Sequence, residues 1–204
     1  MTETITLSHN VAGRAVSGAP AFEQRNPALP DDLRVEGPEA DAALVAEAVA
    51  AARAAVGAIE AAGIEARADA LARIGRALMT DADRLGLLIA RETGKTLGDS
   101  KGEVMRAARI FDFFAGETLR NVGERFASTR PGATVEVEYA PVGVVAAITP
   151  WNFPIAIPAW KIAPALAFGN AVVWKPSEIS SATADALMAV IAAAGLPAGS
   201  VNMV

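Results

Sequence analysis

Charge along this 204-residue chain is distributed so unevenly that it constrains the fold class by itself. Residues 1–133 carry 16 Lys/Arg and 19 Asp/Glu, whereas residues 134–204 carry 2 and 4. The first stretch suits a solvated mixed-charge layer, and the second must run mostly inside. Within the second, Gly143 to Ile148 and Asn170 to Trp174 are short, Val-rich, charge-free runs, as strands covered on both faces tend to be. Residues 155–168 between them and 182–194 after them read as helices, the latter ending at Gly195 with Pro197 beyond. Val201 to Val204 begins a third strand. Strand, helix, strand, helix, strand gives two βαβ crossovers, hence an α/β fold with a parallel sheet and helices on both faces. A sheet stopping at that third strand would leave an unpaired edge and an uncovered apolar face.

Upstream, residues up to Pro38 read as an arm of irregular or short extended pieces punctuated by Gly13, Gly18, Pro20, Pro27 and Pro30. Between 39 and 62, Val45, Val49, Ala52, Val56 and Ile59 recur at helical spacing on an alanine background. A second helix is predicted over 65–79 on Leu71, Ile74 and Leu78. Thr80 with Asp83 resembles a capping box for a third, 81–92, which Gly94 would stop. A fourth, 98–121, puts Val104, Ala108, Phe111 and Ala115 on one stripe and ends near Gly123. Thr134 to Tyr139 alternates strictly, Val135, Val137 and Tyr139 against Glu136 and Glu138, which predicts a half-exposed strand.

Several functions are excluded at once. Without cysteine there is no disulfide, thiolate metal site or cysteine nucleophile within these residues, and with His9 alone no multi-histidine metal site. A net charge of −5 without a basic cluster gives no footprint for nucleic acid or anionic membrane. The polar opening lacks a secretory signal, and the longest apolar stretch, Val142 to Ile157, is cut by Pro150, Asn152 and Pro154, short of the ~20 residues of a membrane helix. The expectation is a cytoplasmic protein in which His9 is solvated. Gly94-Lys95-Thr96 mimics a P-loop tail, but Ile89 stands where its first glycine belongs, so Lys95 is placed in a helix-to-helix turn. The dinucleotide glycine fingerprint is also missing after the first parallel strand, where Thr149-Pro150-Trp151-Asn152-Phe153-Pro154 stands instead.

Ligands of open parallel sheets bind beyond the carboxyl ends of the strands, which directs attention to the residues after Ile148 and Trp174. The first place holds Asn152 in a stiff turn between two prolines. Its carboxamide is either a preorganised donor to a developing oxyanion or a partner for turn backbone. The second holds Lys175-Pro176-Ser177-Glu178, where lysine and glutamate either hold a nucleotide's ribose or form a surface ion pair.

Together, Ile148-Thr149-Pro150-Trp151-Asn152-Phe153-Pro154, Ala159 to Ala167, Gly169-Asn170, Trp174-Lys175-Pro176-Ser177-Glu178 and Gly195-Leu196-Pro197-Ala198-Gly199 resemble, in order and spacing, the NAD(P)-dependent aldehyde dehydrogenase superfamily. Glu92-Thr93-Gly94-Lys95 and Phe114-Ala115-Gly116 extend the resemblance across nearly the whole chain. It implies the N-terminal part of an aldehyde dehydrogenase-like fold: an arm (1–38), a helical part of the cofactor domain (39–122), bridging or oligomerisation strands (123–142) and the first part of a nonclassical Rossmann sheet (143–204). The resemblance also implies a homodimer or homotetramer.

In that family a cysteine attacks the aldehyde, an asparagine side chain and a backbone N–H hold the oxyanion, hydride passes to the nicotinamide, and a glutamate activates water. By resemblance Asn152 is the oxyanion asparagine, and Lys175 and Glu178 hold the adenosine ribose. Ile148, Thr149, Pro150 and Trp151 contact the cofactor, Phe153 and Trp160 line the aldehyde tunnel, and Lys161 serves a proton relay. Glu178 favours NAD, because a 2′-phosphate would meet a like charge, while Lys175 and Ser177 suit that phosphate in NADP. The run Ile155 to Lys161 is similar to dehydrogenases of alpha-ketoglutaric semialdehyde. The family's cysteine and general base have no counterpart here, so two classes stand: a fragment of the oxidoreductase, or a noncatalytic cofactor-binding or oligomerisation module.

Overall fold

The computed structural model describes residues 2–120 and 123–204. Five short strands, β1 (Glu3–Thr6), β2 (His9–Val11), β3 (Arg14–Val16), β4 (Phe22–Arg25) and β5 (Leu33–Gly37), precede helices α1 (Ala42–Thr80), α2 (Ala82–Thr93) and α3 (Leu97–Thr118). A hairpin follows, β6 (Gly123–Ala127) and β7 (Thr134–Glu138). The remainder is β8 (Val144–Ile148), α4 (Ala156–Ala167), β9 (Ala171–Lys175), a 3-10 turn (Glu178–Ser180), α5 (Ser181–Ala192) and β10 (Val201–Met203).

The expected parallel trio forms one side of a five-stranded sheet ordered β3-β2-β10-β9-β8. Strand β9 pairs in parallel with both β8 and β10. Helices cover both faces. One face sets Ala147, Val172, Trp174, Val201 and Met203 against α4, α5, α2, α3 and the second half of α1. The other sets Ala171, Val173 and Val11 against Ala48, Ala52, Ala55 and Ile59 of the first half of α1. Gly63 lets one helical run serve both faces: its φ of 80° interrupts α1, at the break the sequence predicts between 62 and 65, and side chains other than glycine's rarely adopt that angle.

The arm corrects the expectation of an unpaired third strand. Strand β10 is covered by β2, antiparallel through Met203 and Asn10. Asn202 fastens this pairing from inside, accepting the Ala12 N–H at 2.9 Å and donating to the Gly199 carbonyl at 2.7 Å. Among the described residues the edges of the sheet are therefore β3 and β8, and the alternate residues Ala146 and Ile148 of β8 are exposed, so β8 is not covered on both faces as its sequence suggests. The sheet is also mixed, since β2 and β3 run antiparallel. The other arm strands form a separate sheet, β1-β5-β4.

Four smaller expectations change. His9 is buried, not solvated: it lies in β2 at 8% exposure, with Nε2 unpartnered, and burial lowers its pKa. Strand β7 is exposed on both faces, because among the described residues it pairs only with the equally exposed β6. The Thr80 capping box does not form: the Thr80 hydroxyl donates back to the Arg76 carbonyl, and Asp81 precedes α2. An alanine-rich 18-residue window of α1 with a mean hydropathy of 1.7 makes this helix long and apolar enough to cross a membrane by those criteria alone, although its apolar stripe packs on the sheet. Gly94, with φ 73°, stops α2 as expected. Helix α3 ends at Thr118, and residues 121 and 122 at the expected end of that helix lie outside the described residues.

Candidate functional site

Register brings the two singled-out places together, since Ile148 at the end of β8 pairs with Lys175 at the end of β9. A fully buried indole locks the junction. Trp174 Nε1 must find an acceptor inside the core, and it donates to Thr149 Oγ1 at 2.9 Å, while the Thr149 N–H donates to the Lys175 carbonyl at 3.1 Å. The chain then leaves the sheet at Pro150. Trp151, Asn152 and Phe153 are exposed beyond the strand end, and Pro154 and Ile155 turn inward to start α4.

This turn is held from below by Lys95, which the sequence placed in a helix connection and in the run Glu92 to Lys95, and by Glu103, which the sequence did not single out. Lys95 Nζ donates to the Asn152 backbone carbonyl at 2.8 Å and to Glu103 Oε2 at 2.6 Å, and lies 4.4 Å from the centroid of the Phe153 ring. Glu103 Oε1 accepts the N–H groups of Ile155 and Ala156 at 2.9 and 3.2 Å. Helix α4 has no local side-chain cap, so this carboxylate on α3 satisfies its first amides. Glu92 on α2 does the same for α5, accepting from Ala182 and Thr183 at 2.8 and 2.7 Å. A signal for both was present. Glu92 stands three residues after Ile89, and Glu103 three after Ser100 and four before Ala107, which puts a carboxylate on each helix's buried stripe.

Lys175 and Glu178 form an ion pair of 3.1 Å with side-chain exposures of 53% and 60%. The pair stands open to a ligand and contributes little to stability. The backbone N–H of Glu178 itself, and then the Lys175 ammonium, hold its carboxyl below the ordinary range, so it is an ionised acceptor at neutral pH. Ser177 is buried, and its hydroxyl caps the 3-10 turn by accepting the Ile179 N–H at 3.3 Å. These residues line a cavity of about 410 Å³ with His9, Pro38 and Val204. A carboxylate acceptor, an ammonium donor and a proline wall suit a ribose and its attached base. Asn152 and Trp151 do not line this cavity; they stand at the neighbouring strand end.

Of the remaining predicted site residues, Trp160 is exposed on α4 and packs edge-to-face on Phe114, with centroids 6.3 Å apart. Lys161 is exposed on the same helix, and no hydrogen bond or ion pair among the described residues joins it to Asn152. No cluster of metal-ligating side chains occurs among the described residues.

A sequence model of the aldehyde dehydrogenase family matches residues 15–204. The chain belongs to the aldehyde dehydrogenase family. Among its relatives in that family, an alpha-ketoglutaric semialdehyde dehydrogenase of Bacillus subtilis is 44% identical over 122 residues, 60% of this chain and 25% of the relative. Among solved structures, an NADP-dependent glyceraldehyde-3-phosphate dehydrogenase from Bacillus halodurans complexed with NADP superposes with a TM-score of 0.91 at 31% identity, over 98% of this chain and 43% of the other. A betaine aldehyde dehydrogenase variant from Staphylococcus aureus in complex with NAD+ gives 0.88 at 30% identity, over 98% and 41%. The chain thus spans about a quarter to two-fifths of the length of these aldehyde dehydrogenases. Its α/β fold is theirs, glycine fingerprint absent.

Proposed function

We propose that this chain supplies the oxyanion asparagine and the adenosine-holding side of an NAD(P)-dependent aldehyde dehydrogenase, as its N-terminal portion. The reaction is oxidation of an aldehyde to a carboxylic acid. Sequence outside these 204 residues supplies the nucleophilic cysteine and the general-base glutamate. The observation that carries this reading is the juxtaposition, at paired strand ends, of the Asn152 turn and the open Lys175–Glu178 pair, where parallel sheets bind ligands.

Each residue then has a task. Glu178 accepts the ribose hydroxyls and Lys175 donates to them. Ile148, Thr149, Pro150 and Trp151 form the wall beside the cofactor, whose nicotinamide supplies the hydride acceptor when bound. The Asn152 carboxamide donates to the oxygen that gains charge as the aldehyde carbon becomes tetrahedral. Phe153 and Trp160 border the aldehyde's approach, and Lys161 passes a proton near the general base.

Two observations favour NAD over NADP: the exposed Glu178 carboxylate would repel a 2′-phosphate, and the Ser177 hydroxyl is buried in a cap rather than free to bind one. The substrate we favour is alpha-ketoglutaric semialdehyde, supported by the run Ile155 to Lys161 and by the Bacillus subtilis relative. The exposed β6–β7 hairpin supports self-association as a homodimer or homotetramer, and a cytoplasmic location fits a metabolic aldehyde as substrate.

The absence of cysteine favours a second reading, a noncatalytic cofactor-binding or oligomerisation module. Assaying NAD(P)H formation from an aldehyde by the purified chain, alone and completed with the family's remaining residues, separates them. Our reading expects none from the chain alone and turnover from the completed enzyme. NAD(P)H from the chain alone overturns it, and a completed protein without turnover favours the module.

A further inference from the structure

The turn that presents Asn152 is clamped at two places by one pair of residues. On its near side the Asn152 carbonyl takes a hydrogen bond from Lys95, and on its far side the Ile155 and Ala156 amides donate to Glu103. Lys95 and Glu103 are themselves an ion pair, with side-chain exposures of 20% and 1%. Between the anchors lie Phe153, whose ring faces the Lys95 ammonium, and Pro154, which has no N–H to donate. Among the described residues no hydrogen bond ties the Asn152 carboxamide itself, so the hold on this residue is on its backbone.

We infer that Lys95 and Glu103 are positioning residues for Asn152: one largely buried charge pair fixes the Asn152 carbonyl and the helix amides that follow it, and so holds the backbone from which the carboxamide projects. A pair that merely stapled α3 to α4 would need only the Glu103 contacts to the helix amides. The lysine bond to Asn152 is the additional feature, and a site holding reacting atoms needs its donors held to within about half an ångström. The inference rests on the proposed oxyanion role of Asn152 for its catalytic meaning, but its geometry is measurable without any turnover.

The test is NMR of the 204-residue chain as wild type, Lys95→Met, Lys95→Arg and Glu103→Gln. It follows the Asn152 carboxamide signals and amide exchange at Ile155 and Ala156, with Ala182 and Thr183 at the Glu92 cap as internal control. In Lys95→Met the Asn152 carboxamide signals shift and broaden while the control amides keep their protection, and Lys95→Arg, which retains a charged donor, restores them. In Glu103→Gln exchange at Ile155 and Ala156 accelerates by about 10–100-fold, the scale of a lost hydrogen bond to a charged group. Unchanged Asn152 signals in Lys95→Met overturn the inference, as does equal loss of protection at the Glu92 cap in both variants. Failure of the chain to bind cofactor would count against the functional reading and leave this result standing.

Discussion

Glu92 and Glu103 are structural counterparts: each is a buried carboxylate on a helix of the flanking layer, and each caps the first amides of a crossover helix, α5 and α4 respectively. The two helices that return the chain between parallel strands begin without local side-chain caps, and both are capped at long range. The flanking helices thereby fix where the chain restarts after each strand end, which is where the candidate site lies.

Removing the charge at position 103 should be costly. Glu103→Ala leaves Lys95 without its counter-charge and two helix amides unsatisfied, and we expect a loss of about 3–5 kcal/mol, the usual scale for breaking a buried pair. Urea unfolding measures it. A loss under about 1 kcal/mol would place the pair among ordinary surface contacts.

Stability should fall with rising pH through neutrality. Burial pushes the Glu92 pKa up to about 7 in the fold, against the two amides that lower it, from an ordinary 4.5. Its favourable contribution is therefore complete below pH 4.5 and lost as pH rises through 7, a change on the order of 3 kcal/mol. His9 works oppositely. Its pKa is lowered from 6.5, so its contribution is present above that value and lost as pH falls through the folded pKa. Urea midpoints from about pH 5 to about pH 8 should decline in the wild type, decline more steeply in His9→Gln, and lose the decline and turn upward in Glu92→Gln, where the His9 contribution remains. A wild-type midpoint that rises across this range contradicts the assignment.

The strands and helices of the C-terminal third were legible because their signals are local: charge-free Val runs, a 3.6-residue stripe and a glycine stop. The arm was not, because β2 and β3 are only three residues each and gain their order from Asn202, 190 positions away from Ala12. The same reason misplaced the open edge and left His9 in solvent. At the site, the residue types after Ile148 and Trp174 identified the strand ends, and register then set them side by side. Glu103 escaped notice, and Lys95 stood out only in a helix connection and a family-like run, because their role depends on what another element places opposite them, although a glutamate on a buried stripe was a readable sign.

Loss of the oxyanion donor should appear in the chemical step. In an enzyme that contains this chain with the family's remaining residues, Asn152→Ala should lower kcat by roughly 10²–10³ with hydride transfer or an earlier step limiting. Single-turnover kinetics measure this directly. An unchanged rate would remove Asn152 from the mechanism.

Cofactor choice should follow Glu178. In the same enzyme Glu178→Gln keeps one acceptor for the ribose but removes the charge facing a 2′-phosphate, and the kcat/KM ratio of NADP to NAD should rise by about tenfold or more. A ratio that stays constant, or a wild type that strongly prefers NADP, refutes the charge argument.

The most direct test of the account is titration of the 15N-labelled chain with NAD+, followed by amide shifts. The account predicts shifts gathered at the two paired strand ends, Ile148 to Asn152 and Lys175 to Glu178, and their loss at the second end in Glu178→Ala. No shifts, or shifts confined to residues away from these strand ends, would contradict it.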